Sequence, residues 1–247
     1  MKSKIFFSFF SVIVMAEKVF TSGNDWCHWL GPNHNGFVEG ILSLSSNPKL
    51  NDTKLLWKTE VGKGWSSPVV SDQMAFLHDR TANKENLTAY SLNSGKEIWR
   101  FSFDSNYRDD FGIDNGPRST PAISQGIIVT HSPQGLVHAV DIKTGALKWT
   151  RDLFRDFGSA KGFFGRCSSP LIMDKKVIFD VGGSTVGLVA LSLETGDMIW
   201  GSKVYGNFIE NHGKSTQKDF LELVGLINSR IEKDYGHKFE IEAVIVM

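Results

Sequence analysis

The phrase SLNSGKEIW at residues 91–99 returns as DIKTGALKW at 141–149 and as SLETGDMIW at 192–200. A spacing of about fifty residues, kept across all the copies, confines the chain to a repeat architecture in which each unit buries its apolar face against the next. Two further anchors keep register with the phrase. Ser-Ser-Pro or Ser-Thr-Pro opens an apolar run in SSPVV (66–70), STPAI (119–123) and SSPLI (168–172). Ala89, Ala139 and Ala190 each stand two residues before the phrase. The phrase itself runs from a Ser/Thr-Gly turn (Gly95, Gly145, Gly196) into a tryptophan (Trp99, Trp149, Trp200).

Each unit reads as four short strands. In the middle copy these are TPAIS, IIVTHS, LVHAVDI and ALKWTRDL, separated by QG, PQG and KTG. β-branched and aromatic residues bounded by Gly, Pro, Asn and Ser are what hairpins require. Glycine accepts positive φ at the turn without a steric penalty, and Ser91, Asp141 or Ser192 can bond nearby backbone. A four-stranded unit repeated at this period is a β-propeller blade. The period and the lack of amphipathic helices exclude ankyrin and TPR arrays. The closing tryptophans read as packing groups between blades.

Of 247 residues, 41% are hydrophobic and 22% charged, enough to build a core. The net charge is zero, and no Lys/Arg stripe offers nucleic acid an electrostatic footprint. Seven Trp and eighteen Phe suit aromatic packing between repeats. The start is separate: MKSK is basic, IFFSFFSVIVMA is apolar, and Val14 and Ala16 are small residues at a cleavage position. Residues 1–16 therefore read as a secretory signal peptide, the alternative being a buried N-terminal strand, and the run is short of the ~20 residues a membrane span needs. Cys27 follows NDW and not a lipobox. Cys27 and Cys167 are the two cysteines, and the scattered histidines have no metal-ligand spacing. The expectation is an exported protein, periplasmic or extracellular.

AYSLNSGKEIW, AVDIKTGALKW and ALSLETGDMIW resemble the repeat of the pyrroloquinoline-quinone-like (PQQ-like) propeller superfamily. DWCHWLGPNHNGFVEG is similar to the Trp-x-x-Trp/Phe-x-Gly-Pro-Asn opening of its exported PQQ-binding-like members, and GIDNGPRSTPAI and VGGSTVGLVALSLETG also look like them. The resemblance covers about residues 25–200. It implies blades at about 57–99, 100–149 and 150–200, preceded by a partial strand ending near Trp57. Members of that superfamily include quinone-dependent alcohol dehydrogenases, the propeller of the outer-membrane assembly machinery, and proteins of no known activity. The resemblance thus implies fold more firmly than function.

After Trp200 no further Ser-Pro anchor comes, and no proline follows Pro170. Residues 201–247 change pattern. Phe220, Val224, Ile227 and Ile231 fall on one helical face, Gly236 is placed to end that helix, and KFEIEAVIV alternates as a strand. The expected fold class is therefore mainly β: an incomplete β-propeller of three four-stranded blades plus a partial one, with a small C-terminal α/β tail. NFIENHGKSTQKDFLELVGLINSRIEKDYGHKFEIEAVIV is similar to the C-terminal end of UDP-N-acetylenolpyruvoylglucosamine reductase. In that resemblance Glu242 stands where the family keeps an acid that assists proton transfer. The chain has no room for the flavin domains such chemistry requires, so no catalytic residue is expected and Glu242 is the family-matched candidate alone.

Three functions compete: an exported, non-enzymatic binding or scaffold module; a remnant of a quinone-dependent dehydrogenase; and a fusion carrying an inactive piece of a cell-wall precursor reductase. PQQ and calcium are the cofactors the resemblance would imply. They need a complete ring, clustered acid and amide ligands and often an adjacent cysteine pair, so no cofactor is expected. Asp114, Arg118 and Arg166 are the ligand-binding candidates. They lie in Gly-rich stretches just before Ser-Pro strands, and the two guanidinium forks suit a carboxylate or quinone oxygen. The other reading makes them solvated loop residues or bridges between blades. Terminal blades lacking a neighbour would expose apolar faces to other protein chains.

Overall fold

The computed structural model describes residues 25–36, 55–183 and 186–202, and single residues between 216 and 236. It divides into a unit ending at Gly206 and a second at Asn207–Met247. The first unit carries three four-stranded antiparallel meanders. Blade 1 is β1 (Val69–Ser71), β2 (Met74–Thr81), β3 (Lys84–Ser91) and β4 (Glu97–Asp104). Blade 2 is β5 (Ala122–Ser124), β6 (Ile127–His131), β7 (Leu136–Asp141) and β8 (Leu147–Asp152). A short helix, α1 (Leu153–Phe157), leads to blade 3: β9 (Leu171–Met173), β10 (Lys176–Asp180), β11 (Leu188–Ser192) and β12 (Met198–Gly201). The first strands β1, β5 and β9 neighbour one another, so they form the inner edge of the blades.

Each sequence anchor has a structural cause. Pro68, Pro121 and Pro170 directly precede the first strands, where a missing N–H breaks no ladder. Ala89, Ala139 and Ala190 are fully buried and sit opposite Trp99, Trp149 and Trp200 across the third and fourth strands. A small residue there leaves room for the indole. A register shift falls directly after each of these alanines, so all the blades carry the same bulge.

The glycine of the turn is fixed by the tryptophan of the unit before it. Gly95, Gly145 and Gly196 have φ of 67°, 72° and 74°. A Cβ on them would stand 2.6, 2.7 and 2.7 Å from the rings of Trp57, Trp99 and Trp149. Each indole also donates to a backbone carbonyl beside the turn: Trp57 Nε1 to Leu92 at 2.6 Å, Trp99 Nε1 to Ile142 at 3.0 Å, Trp149 Nε1 to Leu193 at 2.8 Å. Residues 55–62 form no strand, yet Trp57 takes the place of a preceding blade's tryptophan. The core lies between blades. Phe76, Leu87, Ile128 and Val140 join blades 1 and 2, and Val129, Val137, Phe179 and Leu191 join blades 2 and 3.

The end of blade 2 differs from the sequence reading. The fourth strand of blade 2 stops at Asp152, not Leu153. The Asp152 carboxylate caps α1 by accepting from the backbone N–H groups of Phe154 and Arg155 (3.0 and 3.1 Å), and Gly158 ends the helix at φ 70°. The opening motif reaches the inner strands. The Trp26 carbonyl accepts from Val70 of β1 and the Cys27 carbonyl from Ile123 of β5, so it ties the two inner strands together.

In the second unit the described residues from Lys218 to Lys233 are helical, and Gly236 (φ 71°) donates its N–H to the Glu232 carbonyl, the helix end expected there. The expected signal peptide, the apolar stripe of the tail helix, the final strand and Glu242 lie outside the described residues.

Candidate functional site

Two long connections meet on one face of the blades. Residues 105–121 link β4 to β5, and residues 158–170 link α1 to β9. The sequence candidates all lie in them. Arg118 donates to the Phe164 carbonyl (2.8 Å) and to the Asp109 carboxylate (3.1 Å), and its guanidinium lies 5.5 Å from the Phe164 ring centre. It also donates to the Tyr107 hydroxyl at 3.3 Å and the Asp114 carbonyl at 3.3 Å. Lys161 pairs with Asp110 from the opposite loop. Arg118 and Lys161 thus clasp one connection to the other.

Asp109 is buried. Burial alone would raise its pKa, but the Ile113 N–H (2.7 Å) and the Arg118 charge hold it below the usual carboxylate range. Asp114 turns its carboxylate onto the Gly116 N–H at 2.6 Å and so shapes its own loop. Arg166 stands apart from these two. It is buried and donates to the carbonyls of Gln134 (3.0 Å), Pro133 (3.4 Å) and Ser159, and to the Ser159 hydroxyl (3.0 Å). Burial works against its charge, and Asp152 partly restores it. Its Nε is 3.0 Å from a Cβ that any residue but glycine would carry at position 135. The structure thus brings Arg118 and Asp114 into one loop cluster and sets Arg166 behind it, under Phe154 at 5.6 Å.

One organising residue carries no sequence signal. Arg80, buried in β2, donates to the carbonyls of Ala82 (3.0 Å), Ser105 (2.8 Å), Tyr107 (2.9 Å) and Asn115 (2.9 Å). It holds both ends of the 105–117 loop. Nothing in the run FLHDRTANK sets that arginine apart from a solvated strand-end charge. Below it, buried Glu85 accepts from the hydroxyls of Ser105 (2.6 Å) and Ser132 (2.8 Å), and its other oxygen is 3.1 Å from His78 Nε2. Burial would raise the pKa of Glu85, but His78 and the two hydroxyls pull it below the usual value. This carboxylate fastens blade 1 to blade 2.

The product of these fixed loops is an apolar surface. Phe111 (59% exposed) and Phe163 (74%) stand with half-exposed Phe164 and exposed Ile113. The ring centre of Phe111 lies 5.5 Å from that of Phe164 and 6.3 Å from that of Phe163. The aromatic cluster was not foreseen, although the letters FF at 163–164 were visible. A cleft of ≈ 640 Å³ runs between blades 1 and 2, lined by Asn83, Asn106, Arg108, Gln134, Asp152 and Phe154 among others.

No group of three or more His, Cys, Asp or Glu among the described residues could hold a metal ion. The one buried carboxylate of the loop cluster is taken by Arg118 and backbone N–H groups. Cys27 and Cys167 are free thiols on different connections. Burial and the neighbouring Asp25 push the Cys27 thiol up to about 11, which keeps it protonated. Among the described residues no helix is long and apolar enough to cross a membrane.

Comparison with known proteins agrees with the blades. The chain is 30% identical over 86 residues to outer membrane protein assembly factor BamB of Yersinia pestis, covering 35% of this chain and 20% of that protein. The crystal structure of quinohemoprotein alcohol dehydrogenase from Comamonas testosteroni superposes with a TM-score of 0.56 at 19% identity, over 83% of this chain and 30% of the dehydrogenase. The chain thus spans less than a third of the length of either relative, and the dehydrogenase likeness concerns the fold. These similarities do not support the likeness of the tail to the reductase. The profile of the family described as outer membrane protein assembly factor BamB matches residues 48–214, two thirds of the chain, and the chain belongs to that PQQ-like repeat family.

Proposed function

We propose that the chain is an exported, non-enzymatic binding module of the periplasm that holds outer-membrane proteins during their assembly. The observation that carries the reading is the aromatic cluster of Phe111, Phe163 and Phe164 on loops that are tied down. Soluble chains seldom leave several large apolar side chains together in water without a partner for them. Arg118, Lys161 and Arg80 fix the loops beforehand, so little ordering entropy opposes binding. Strands destined for an outer-membrane barrel carry apolar residues on every second position, with aromatic girdles at their ends. Such strands, before insertion, offer the side chains that an exposed phenylalanine cluster would cover. The name of the family points the same way. Arg118 and Asp114 act here as supports of the binding surface, and Arg166 supports the loop behind it. The single test is binding of a urea-unfolded outer-membrane β-barrel protein, diluted into buffer with the full chain and followed by fluorescence anisotropy. Saturable binding that Phe163→Asp weakens by about tenfold or more is expected, the size of an interface anchor's loss. Absence of binding, or binding indifferent to Phe163→Asp and Phe111→Asp, would sink the reading.

A further inference from the structure

The cleft between blades 1 and 2 is built from matching places of the two blades. Asn83 and Gln134 come from the β2–β3 and β6–β7 turns, and Asp104 and Asp152 end β4 and β8. Its volume of ≈ 640 Å³ falls within the range of about 300–1,000 Å³ of small-molecule sites. Gln134 fixes it across the blades: Nε2 donates to the Asp104 carbonyl (3.1 Å), and Oε1 accepts from the Asn106 N–H (3.3 Å). The Asn83 carbonyl accepts from the Ser105 N–H at 2.8 Å. Phe154 is 59% exposed on this lining, and the Arg166 guanidinium lies over its ring at 5.6 Å, so the other face of the ring is open. The charges of the cleft are answered within the protein. Asp104 pairs with Lys84 at 3.4 Å, and Asp152 accepts from the N–H groups of α1. Arg108 donates to the Tyr107 carbonyl (3.1 Å) and shares the lining with both acids. Among the described residues the side-chain amides of Asn83 and Asn106, both exposed, bond no other group.

We propose that this cleft binds a neutral oligosaccharide, with a sugar ring laid on Phe154 and its hydroxyls bonded to the amides of Asn83 and Asn106. The occupant follows from what the lining can satisfy. A primary amide sets two N–H donors beside an acceptor, and neighbouring hydroxyls of a sugar, each both donor and acceptor, answer the pair. The carbon-bound hydrogens of a sugar ring form an apolar face, and the open face of a phenylalanine held from behind is its complement. A cation finds no unanswered carboxylate, because Lys84 and the α1 N–H groups have taken both. An anion drawn to Arg108 meets the two acids of the same lining. A lipid tail or the side chains of an apolar peptide need hydrocarbon walls, and Leu136 is the only apolar residue of the lining besides Phe154. Gln134 and Arg166 hold the lining beforehand, so little ordering entropy opposes a polar ligand. Cell-wall glycan and soluble glucan share this chemistry. The inference does not rest on the binding of outer-membrane strands, since none of Phe111, Phe163 and Phe164 lines the cleft.

The test is isothermal titration calorimetry of the full chain with two uncharged tetrasaccharides carried to millimolar concentration, chitotetraose for cell-wall glycan and maltotetraose for soluble glucan. Saturable binding at a single site is expected for at least one of them, and the tighter of the two names the source. Phe154→Ala should weaken that binding by about tenfold or more, the loss of an aromatic anchor, and Phe154→Trp should keep it. Asn106→Ala should weaken it as well, with Asn83→Ala in its place should that variant lose its strands by far-UV circular dichroism. Phe163→Asp should leave sugar binding unchanged, and Phe154→Ala should leave binding of the unfolded barrel protein unchanged, so the two sites succeed or fail separately. No heat from either tetrasaccharide, or sugar binding indifferent to Phe154→Ala and to the asparagine variants, would overturn the proposal. So would loss of barrel-protein binding in Phe154→Ala while neither sugar binds, which would assign the cleft to the polypeptide.

Discussion

The indole of Trp99 donates to the carbonyl of Ile142, 43 residues on, at 3.0 Å while its ring lies where a Cβ on Gly145 would stand. One contact therefore joins the last strand of a blade to the last turn of the next. It explains why tryptophan and glycine recur together. The tryptophan supplies area and one donor, and the glycine supplies both positive φ and the space the ring fills.

The first prediction compares two copies of the same side chain. Trp149 is buried between blades 2 and 3 and bonded to Leu193, whereas Trp200 is exposed. Trp149→Ala should lower unfolding free energy by ~3–5 kcal/mol, the usual cost of removing a buried large aromatic. Trp200→Ala, studied at concentrations where the chain is monomeric, should cost less than ~1 kcal/mol, as at an exposed site. Urea unfolding followed by circular dichroism measures both. Equal losses would mean that Trp200 is covered.

The turn glycine gives the second. Gly145→Ala asks for a side chain at φ 72° and puts its Cβ 2.7 Å from the Trp99 ring. Gly126, also at positive φ (75°), meets open space. Alanine at 126 should cost ~1 kcal/mol for the backbone conformation alone. Alanine at 145 should cost clearly more and should red-shift tryptophan emission as the ring is pushed toward water. Matching losses at the two sites would show that the ring yields freely.

How much of this was legible beforehand follows from what the residues respond to. The blades were legible because Ala89, Gly95 and Trp99 answer to one another at fixed offsets, and the same answer is repeated at 139–149 and 190–200. Repetition turns a local contact into a visible pattern. Asp114, Arg118 and Arg166 were found as loop residues, but their partners were not, because Phe164 and Asp109 meet Arg118 through the fold and not through spacing. Arg80 and Glu85 were invisible for the same reason. Each is a single buried charge satisfied by carbonyls or hydroxyls from distant connections, and nothing near either in sequence marks it. The helix α1 was missed because its five residues are too few to show a period; its signals are only the Asp152 cap and Gly158.

A third prediction concerns the loop that Arg80 holds. Arg80→Lys keeps the charge but cannot serve four carbonyls in a fork. The Ser105 carbonyl would then lose its Arg80 donor, and the Tyr107 carbonyl would keep only Arg108 at 3.1 Å. Cleavage by trypsin after Arg108, which is exposed, should become faster by about tenfold or more, the factor that corresponds to ~1.4 kcal/mol of local opening. The cleavage pattern within blade 3 should not change. Loss of all protection at once would instead mark Arg80 as a support of the whole fold.

The last prediction is acid sensitivity centred on two histidines between blades. His131 Nδ1–H donates to the Ser168 carbonyl (2.9 Å), and the ring meets Phe179 edge-on at 5.3 Å. His138 is stacked on Phe103 at 4.1 Å. Burial lowers both to about 4, with the Arg166 charge and His78 adding to the effect at His131 and His78 at His138. In the unfolded chain each would titrate near 6.5. Above 6.5 both states hold neutral rings and stability is whole. Between 6.5 and 4 the unfolded chain takes up protons that the folded one refuses, so stability falls as pH falls. Glu85 acts in the same direction further down, since its lowered pKa makes its contribution disappear as it protonates. The slope should approach ~1.4 kcal/mol per pH unit for each histidine. His138→Phe keeps the stack on Phe103 and removes a buried nitrogen, Nδ1, that has no hydrogen-bond partner. It should leave stability at pH 7 unchanged or higher, and flatten the decline between pH 6.5 and 4 by about half, as expected when one of two equal titrating groups is removed. Urea midpoints across that range for the two proteins decide it. Parallel curves would show that the acid response arises elsewhere, with Glu85 and its Ser105 and Ser132 donors the next place to look.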